Sequence, residues 1–251
     1  MDTEFIETLN TLDTARLAGA GAAVWLAGLV RGFAGFGAAL IMAPVLSLIY
    51  GPVIAVPVMT VVEIPVLLQV VAIARRETDW RRTGPMAATA GIAIPIGTAV
   101  LATADPALLR SAMSVIVLSL VAVMASNRVP ALRRRRTTDL GAAWLAGLMG
   151  GSTGIGGPPL ILYFLSIKVS ARQVRGDLFG YFLVTTLIGL LSFAAYGLIT
   201  PRIVLTGLAL GLPYMLGIWM GGLLFPLANE ATFRRLALTL LALIGVATLL
   251  G

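Results

Sequence analysis

The sequence predicts an all-α polytopic integral membrane protein made of two inverted repeats. Each repeat is a broken, re-entrant helix hairpin followed by three transmembrane helices, giving eight to ten helical segments in all. Three observations carry this. The 251 residues are 59% hydrophobic and only 12% charged, with a mean hydropathy of +0.98. A soluble domain carries about 25% charged residues, so a surface this poor in charge is matched to lipid. The chain also repeats itself, and its basic residues are confined to a few short loops.

The repeat is visible by eye. Trp25-Leu26-Ala27-Gly28-Leu29 recurs as Trp144-Leu145-Ala146-Gly147-Leu148, and the same spacing of 119 residues sets Gly32, Gly35 and Gly37 on Gly151, Gly154 and Gly156. A weaker match places Gly97, Asp105 and Arg110 on Gly222, Glu230 and Arg235. The organisation that follows is an N-terminal extension, 1–16, a first membrane repeat, 17–126, an Arg-rich linker, 127–138, and a second repeat, 139–251. The length leaves no room for a second, soluble domain. The stretch Met1–Asn10 is acidic, without the basic start of a cleaved signal peptide.

Apolar runs divide the first half into segments near 15–33, 37–50, 52–74, 84–103 and 108–126. The second half divides near 139–151, 157–168, 177–198, 202–226 and 232–250. A spanning helix needs roughly 20 apolar residues, which the last three segments of each half supply. The first two are short, and glycine interrupts them at 32–37 in one half and 150–159 in the other.

Charge sets the orientation. Fourteen of the 18 basic residues fall in four stretches, 75–82, 127–136, 168–175 and 228–235. All four lie on one side if each short pair returns to its starting side. Arg16, Arg110 and Arg202 then occupy the other. By the positive-inside rule the rich side is cytoplasmic. A hairpin plus three spans is an odd number of crossings, so the second half is inserted upside down and both termini are non-cytoplasmic. Inverted repeats with interrupted helices are a common secondary-transporter plan.

The breaks are the candidate site. Irregular backbone at membrane depth persists only where protein buries it or where it lines a cavity, and a helix N-terminus offers free N–H groups and a positive dipole end to an anion. The expected substrate contacts are Arg31, Gly35, Phe36 and Gly37 in the first half. In the second they are Ser152, Thr153, Gly154, Ile155, Gly156 and Gly157. Pro158 and Pro159 suit a first helical turn. Tight helix packing is the competing reading of the glycines. Arg31 lies about 20 Å along its segment at about 1.5 Å per residue; such a charge is costly and points to function. It can meet a substrate oxyanion, snorkel, or pair with a carboxylate. Glu63 is the coupling or gating candidate, as a proton carrier, as the partner of Arg31, or as one end of an interhelical hydrogen bond. Asp177 is expected to cap a helix start. Tyr163, Tyr181, Thr185, Thr186, Tyr214 and Asn229 are lining or interface candidates, and Trp80 and Trp219 are candidate interfacial anchors.

Cysteine and histidine are both absent, which excludes disulfides, thiol nucleophiles, His-based triads and Cys/His metal sites. No metal or other cofactor is expected, and no enzyme activity: Ser152 near Glu63 is a thin basis for catalysis. No P-loop is present to use ATP. The net charge of +7 sits in loops and presents no soluble face to nucleic acid.

At the breaks the sequence resembles the TauE/SafE family of sulfite and organosulfonate transporters, also described as toluene-sulfonate uptake permeases. The resemblance rests on Gly35-Phe36-Gly37-Ala38-Ala39 with Pro44 and Leu46, on Gly154-Ile155-Gly156-Gly157-Pro158 with Leu160, and on the short loop at Asp79-Trp80. The first stretch departs from the family's motif, with alanine in place of later glycines. The resemblance implies a bacterial inner-membrane carrier, labelled an exporter, of small sulfur-containing anions such as sulfite, thiosulfate or organosulfonates. The anion would be held near the midplane at the breaks. Its partners would be that anion and membrane lipid, with a homodimer as an open assembly state. A passive anion channel, or a carrier of another small carboxylate or oxyanion, is the alternative.

Overall fold

The computed structural model describes residues 14–34, 37–126, 135–166, 170–224, 239 and 241–249. Among them every regular element is a helix. In chain order these are α1 (Thr14–Ala34), α2 (Ala38–Tyr50), α3 (Pro52–Glu77), α4 (Trp80–Thr103), α5 (Pro106–Ser126), α6 (Arg136–Thr153), α7 (Gly157–Ser166), α8 (Ala171–Ala195) and α9 (Pro201–Leu224). A last helical stretch, 241–249, is α10. Among the described residues five helices (α3, α4, α5, α8 and α9) are long and apolar enough to cross a membrane. Of the sixth expected span, 232–250, residues 239 and 241–249 are described and the others lie outside the described residues. The hairpin arms are unequal: α1 and α6 have 21 and 18 residues, α2 and α7 only 13 and 10.

Local chemistry fixes the boundaries. Asp79 starts α4 four residues before the expected position, its carboxylate accepting from the Arg81 N–H at 3.2 Å. Ser170 caps α8, accepting from the Gln173 N–H at 3.3 Å. The expected cap, Asp177, lies two turns inside α8 and is wholly buried. The sequence misplaces it because Ser170 is a sufficient cap by itself and the polar first turns of α8 look like a loop.

Hydrophobic side chains face outward as well as inward. Leu68, Leu191, Leu212 and Trp219 are among the exposed large apolar residues. A soluble fold would bury them, whereas lipid solvates them. Trp80 is exposed as well.

Packing is reciprocal. α1 packs chiefly on α9 and α4 chiefly on α6, while α3 and α8 cross between them. One buried cluster joins α1, α2, α3 and α5 to α9 and also takes in Leu101 of α4, Ile155, Phe193 of α8 and Leu241 of α10; the other joins α6, α7 and α8 to α4. Each broken hairpin therefore shares a core with the fourth helix of the other half.

Glycine makes these two close pairs possible. A methyl group added at Gly32 would lie 2.1 Å from the Ile218 carbonyl oxygen, and one at Gly151 would lie 2.3 Å from that of Ile94. One at Gly221 would meet the Leu29 oxygen at 2.2 Å, and one at Gly97 the Leu148 oxygen at 2.3 Å. The first-helix partners are 119 residues apart and the fourth-helix partners 124. Gly97 and Gly221 thus make matching contacts, whereas the match read from sequence sets Gly97 on Gly222. Gly221 and Gly222 are adjacent and only contact tells them apart: a methyl at Gly222 meets nothing within 4 Å. Residue numbers rise together along both pairs, from Gly28 at Tyr214 to Phe33 at Gly221, and from Gly147 at Ala90 to Ser152 at Gly97. Both pairs are parallel.

Gly32→Ala and Gly151→Ala are each expected to lose about 1–3 kcal/mol, the usual cost of overpacking. Gly141→Ala, where a methyl meets nothing within 4 Å, should be neutral or gain up to about 1 kcal/mol from helix propensity. Thermal unfolding in detergent compares the three.

Candidate functional site

The first break lies between α1 and α2. Gly37, at φ 97°, is left-handed and precedes α2, and the Leu40 N–H returns to its carbonyl at 3.1 Å. In the second break Gly154, at φ 73°, ends α6, its N–H reaching the Gly150 carbonyl at 3.1 Å. Left-handed backbone costs an L-residue about 1 kcal/mol or more, and glycine removes that cost. Ile155 is fully buried and Gly156 folds back on α6, where a methyl would lie 2.6 Å from the Ala146 oxygen. Gly157 opens α7. Gly35 and Phe36 lie outside the described residues, as does Asn229.

The hydroxyls of the second break are already engaged. Ser152 Oγ donates to the Leu148 carbonyl and Thr153 Oγ1 to that of Met149, both at 2.8 Å. Thr153 Oγ1 also accepts from the Ile155 N–H at 3.3 Å.

Arg31 and Glu63 come together from α1 and α3, and Tyr214 joins them from α9. Arg31 Nη1 donates to both Glu63 oxygens, at 2.5 and 2.6 Å, and to Tyr214 Oη at 3.0 Å. Tyr214 Oη donates to Glu63 Oε1 at 2.5 Å. The Arg31 and Glu63 side chains are 22% and 20% exposed and Tyr214 is buried, so the pair retains a small opening. Gly28 places the tyrosine: a methyl there would strike the Tyr214 carbonyl oxygen at 2.4 Å. Arg31 follows Gly28 by three residues, on the same helix face. Glu63 and Tyr214 each lie near the middle of their helices, so the triad is level with the middle of two spans.

A second charged cluster, which the sequence does not single out, joins the two halves at the start of α4, α6 and α8 and at the end of α7. Arg82 Nη2 lies 3.5 Å from Asp139 Oδ1 and 3.4 Å from Tyr163 Oη, and Arg82 Nη1 lies 3.7 Å from Asp177 Oδ2. Tyr163 Oη donates to Asp139 Oδ1. The Arg82 guanidinium carbon stands 5.0 Å from the Phe164 ring centre. Asp177 Oδ1 accepts from the Asp79 N–H and from Gln173 Nε2, both at 2.9 Å. The available signal was register: Arg82 and Asp139 each precede the Ala90–Gly147 contact by eight residues on parallel helices. Of the remaining lining candidates, Tyr181 joins two helices, its Oη donating to the Ala143 carbonyl at 3.2 Å, while Thr185 Oγ1 donates within α8 to the Tyr181 carbonyl at 2.9 Å. Thr186 is half-buried on α8.

A shallow cleft lined by Arg16 and Arg202 among mostly apolar side chains lies where α1 and α9 begin. Among the described residues no group of three or more His, Cys, Asp or Glu side chains could hold a metal ion.

A family model described as Sulfite exporter TauE/SafE matches residues 20–248, nearly the whole chain. The chain belongs to the TauE/SafE family. Comparisons with curated proteins and with solved structures found no match. The helices and the family together make this a multi-pass membrane protein of a transporter family.

Removing one member of the Arg31–Glu63 pair strands the other in an apolar setting. Arg31→Met and Glu63→Leu should each cost about 2–4 kcal/mol, and the double variant less than the two losses added, because the stranded charge is then gone. A double-mutant cycle by thermal unfolding reads the coupling; additive losses would show that the pair contributes nothing as a pair.

Proposed function

We propose that this TauE/SafE protein is a secondary transporter that exports a small sulfur oxyanion, such as sulfite, thiosulfate or an organosulfonate, across the bacterial inner membrane. The observation that carries the reading is the Arg31–Glu63–Tyr214 triad, a guanidinium at span depth whose counter-ion belongs to the protein. Arg31 suits a tetrahedral or pyramidal oxyanion because its planar donors match two oxygens at once. An anion entering from the neighbouring break displaces Glu63 from Arg31, and Glu63 recovers it when the anion leaves. Substrate and carboxylate thus compete for one cation, which gives the protein two states that differ in contacts, as alternating access requires. The helix N-termini at Gly37 and Gly157 add their dipoles, and Ser152 to Gly154 and Ile155 to Gly157 form the wall of the second break; Gly35 and Phe36, expected from the sequence as further substrate contacts, lie outside the described residues.

Two repeats, 17–126 and 139–251, joined by the basic linker 127–138 after a short extension, 1–16, are part of the same reading. The recurring contacts at spacings of 119 and 124 support it. The parallel pairs support an inverted relation. If α1 and α4 run in opposite directions, α6, parallel to α4, opposes its counterpart α1. The basic loops are then cytoplasmic, both termini are outside, and Arg16 and Arg202 attract the anion on the opposite face. A gradient of protons or of electrical potential supplies the drive.

Proteoliposomes preloaded with sulfite should show saturable counterflow of ³⁵S-sulfite. Arg31→Ala is expected to weaken sulfite binding about 10- to 100-fold, the worth of a charged hydrogen bond, and Arg31→Lys less. Bulky substitution at Gly35 or Gly154 should also weaken it. Binding unchanged in all these variants would remove the proposed site. Non-saturating flux with single-channel currents would make the protein a channel instead.

A further inference from the structure

The two charge clusters differ in balance. In the triad one guanidinium faces one carboxylate, and both carboxylate oxygens accept hydrogen bonds. Nothing there calls for a further cation. In the second cluster one guanidinium faces two carboxylates, Asp139 and Asp177, at 3.5 and 3.7 Å. Those distances are long for hydrogen bonds. Asp177 is wholly buried, and its Oδ2 has no hydrogen-bond partner. A bare carboxylate oxygen away from water is costly.

Among the described residues no second buried basic side chain joins the cluster, since Arg75, Arg76, Arg135 and Arg136 at the neighbouring helix ends are exposed. From α4 come Arg82 and Thr83; from α6, Asp139; from α7, Tyr163 and the Phe164 ring. Gln173 and Arg175 share α8 with Asp177, and Arg175 is exposed and stacked 5.3 Å from Phe179. At the turn between α3 and α4 stand Glu77 and Asp79, adding negative charge, and Arg81, which is exposed. One carboxylate with a bare oxygen is too few ligands for a hard metal cation, which takes six or more oxygens. A proton needs only one.

We propose that Asp177, set against Arg82 and Asp139, is the proton-binding carboxyl that couples transport to the proton gradient. This rests on the transport reading above and moves the coupling role away from Glu63. The proton adds to Asp177 Oδ2 and leaves from it, so the carboxyl group is restored in each cycle. The location suits coupling. Arg82 belongs to the first half, Asp139, Tyr163 and Asp177 to the second, so any shift between α4 and the α6–α8 group changes the distance from Arg82 to both acids. That shift changes the affinity of Asp177 for its proton, and by linkage the proton biases the shift.

Infrared difference spectra between acid and neutral pH, on the purified full chain in lipid nanodiscs, test this without any transported anion. The carbonyl band of a protonated buried carboxyl is expected in the unmodified protein. It should be lost in Asp177→Asn, retained in Glu63→Gln, shifted in Asp177→Glu, and enlarged in Arg82→Gln, which leaves two carboxylates without their cation. A band that survives in Asp177→Asn, disappears in Glu63→Gln or is unchanged in Arg82→Gln overturns the proposal. If Asp177→Asn does not fold, the Asp177→Glu and Arg82→Gln spectra decide. In proteoliposomes, the ratio of ³⁵S-sulfite flux with and without an imposed pH gradient should fall to unity in Asp177→Asn; an unaltered ratio again overturns it. Absence of sulfite flux in the unmodified protein counts against the substrate reading alone, because the infrared result stands independently of it.

Discussion

Backbone lies against backbone at Gly32 on Ile218, Gly221 on Leu29, Gly151 on Ile94 and Gly97 on Leu148, and the rest of the molecule is arranged around those contacts. Lipid is as apolar as a leucine side chain, so membrane helices gain little by hiding apolar surface from it. They associate through close van der Waals contact, which a missing Cβ allows. α1 is thereby fixed on α9 and α4 on α6, each in one register. Registers place side chains: Gly28 against Tyr214 brings the phenol to Arg31, and Gly147 against Ala90 brings Asp139 beside Arg82 two turns earlier. The glycines have two jobs. Those inside α1, α4, α6 and α9 hold the helices together, while Gly37 and Gly154, with their left-handed backbone, turn the chain at the breaks.

The charges placed by this frame add little to stability. Ionised groups at span depth are costly even when paired, and apolar residues of similar volume would pack with less expense. The two clusters meet that cost differently. Arg31, Glu63 and Tyr214 satisfy one another, which suits a cation kept in readiness for an anion. Arg82, Asp139 and Asp177 leave an acid in excess and one carboxylate oxygen bare, which suits a group that changes its protonation. Ser192 and Thr98, which bond across α8 and α4 at 2.9 Å in the buried interior, show the ordinary alternative, a neutral polar contact with no charge left over.

Much of this was open to reading from residues alone. Helix number and placement follow from apolar run length, because a bilayer accepts little else. The breaks follow from glycine density, and Arg31 and Glu63 stand out because charges are rare in such runs. Less was legible at the helix ends, where Ser170 and Asp79 start helices earlier than hydropathy suggests. Asp177 was misread as a cap for that reason. Tyr214 could not be chosen from six polar candidates, since a tyrosine in a span is equally at home as an anchor, a lining residue or a packing residue.

By itself, then, the sequence determined the solvent, the helices, the breaks and the recurrence of one half in the other, because each depends on composition or on spacing along one chain. Only the tertiary structure decided which helix lies against which, that Gly221 rather than Gly222 makes the contact matching that of Gly97, that Tyr214 closes the triad, and that Arg82 faces two acids. Those facts depend on contacts between residues as far apart as 192 positions, Leu29 and Gly221. They are set by the steric fit of two helix surfaces, which no single stretch of sequence contains.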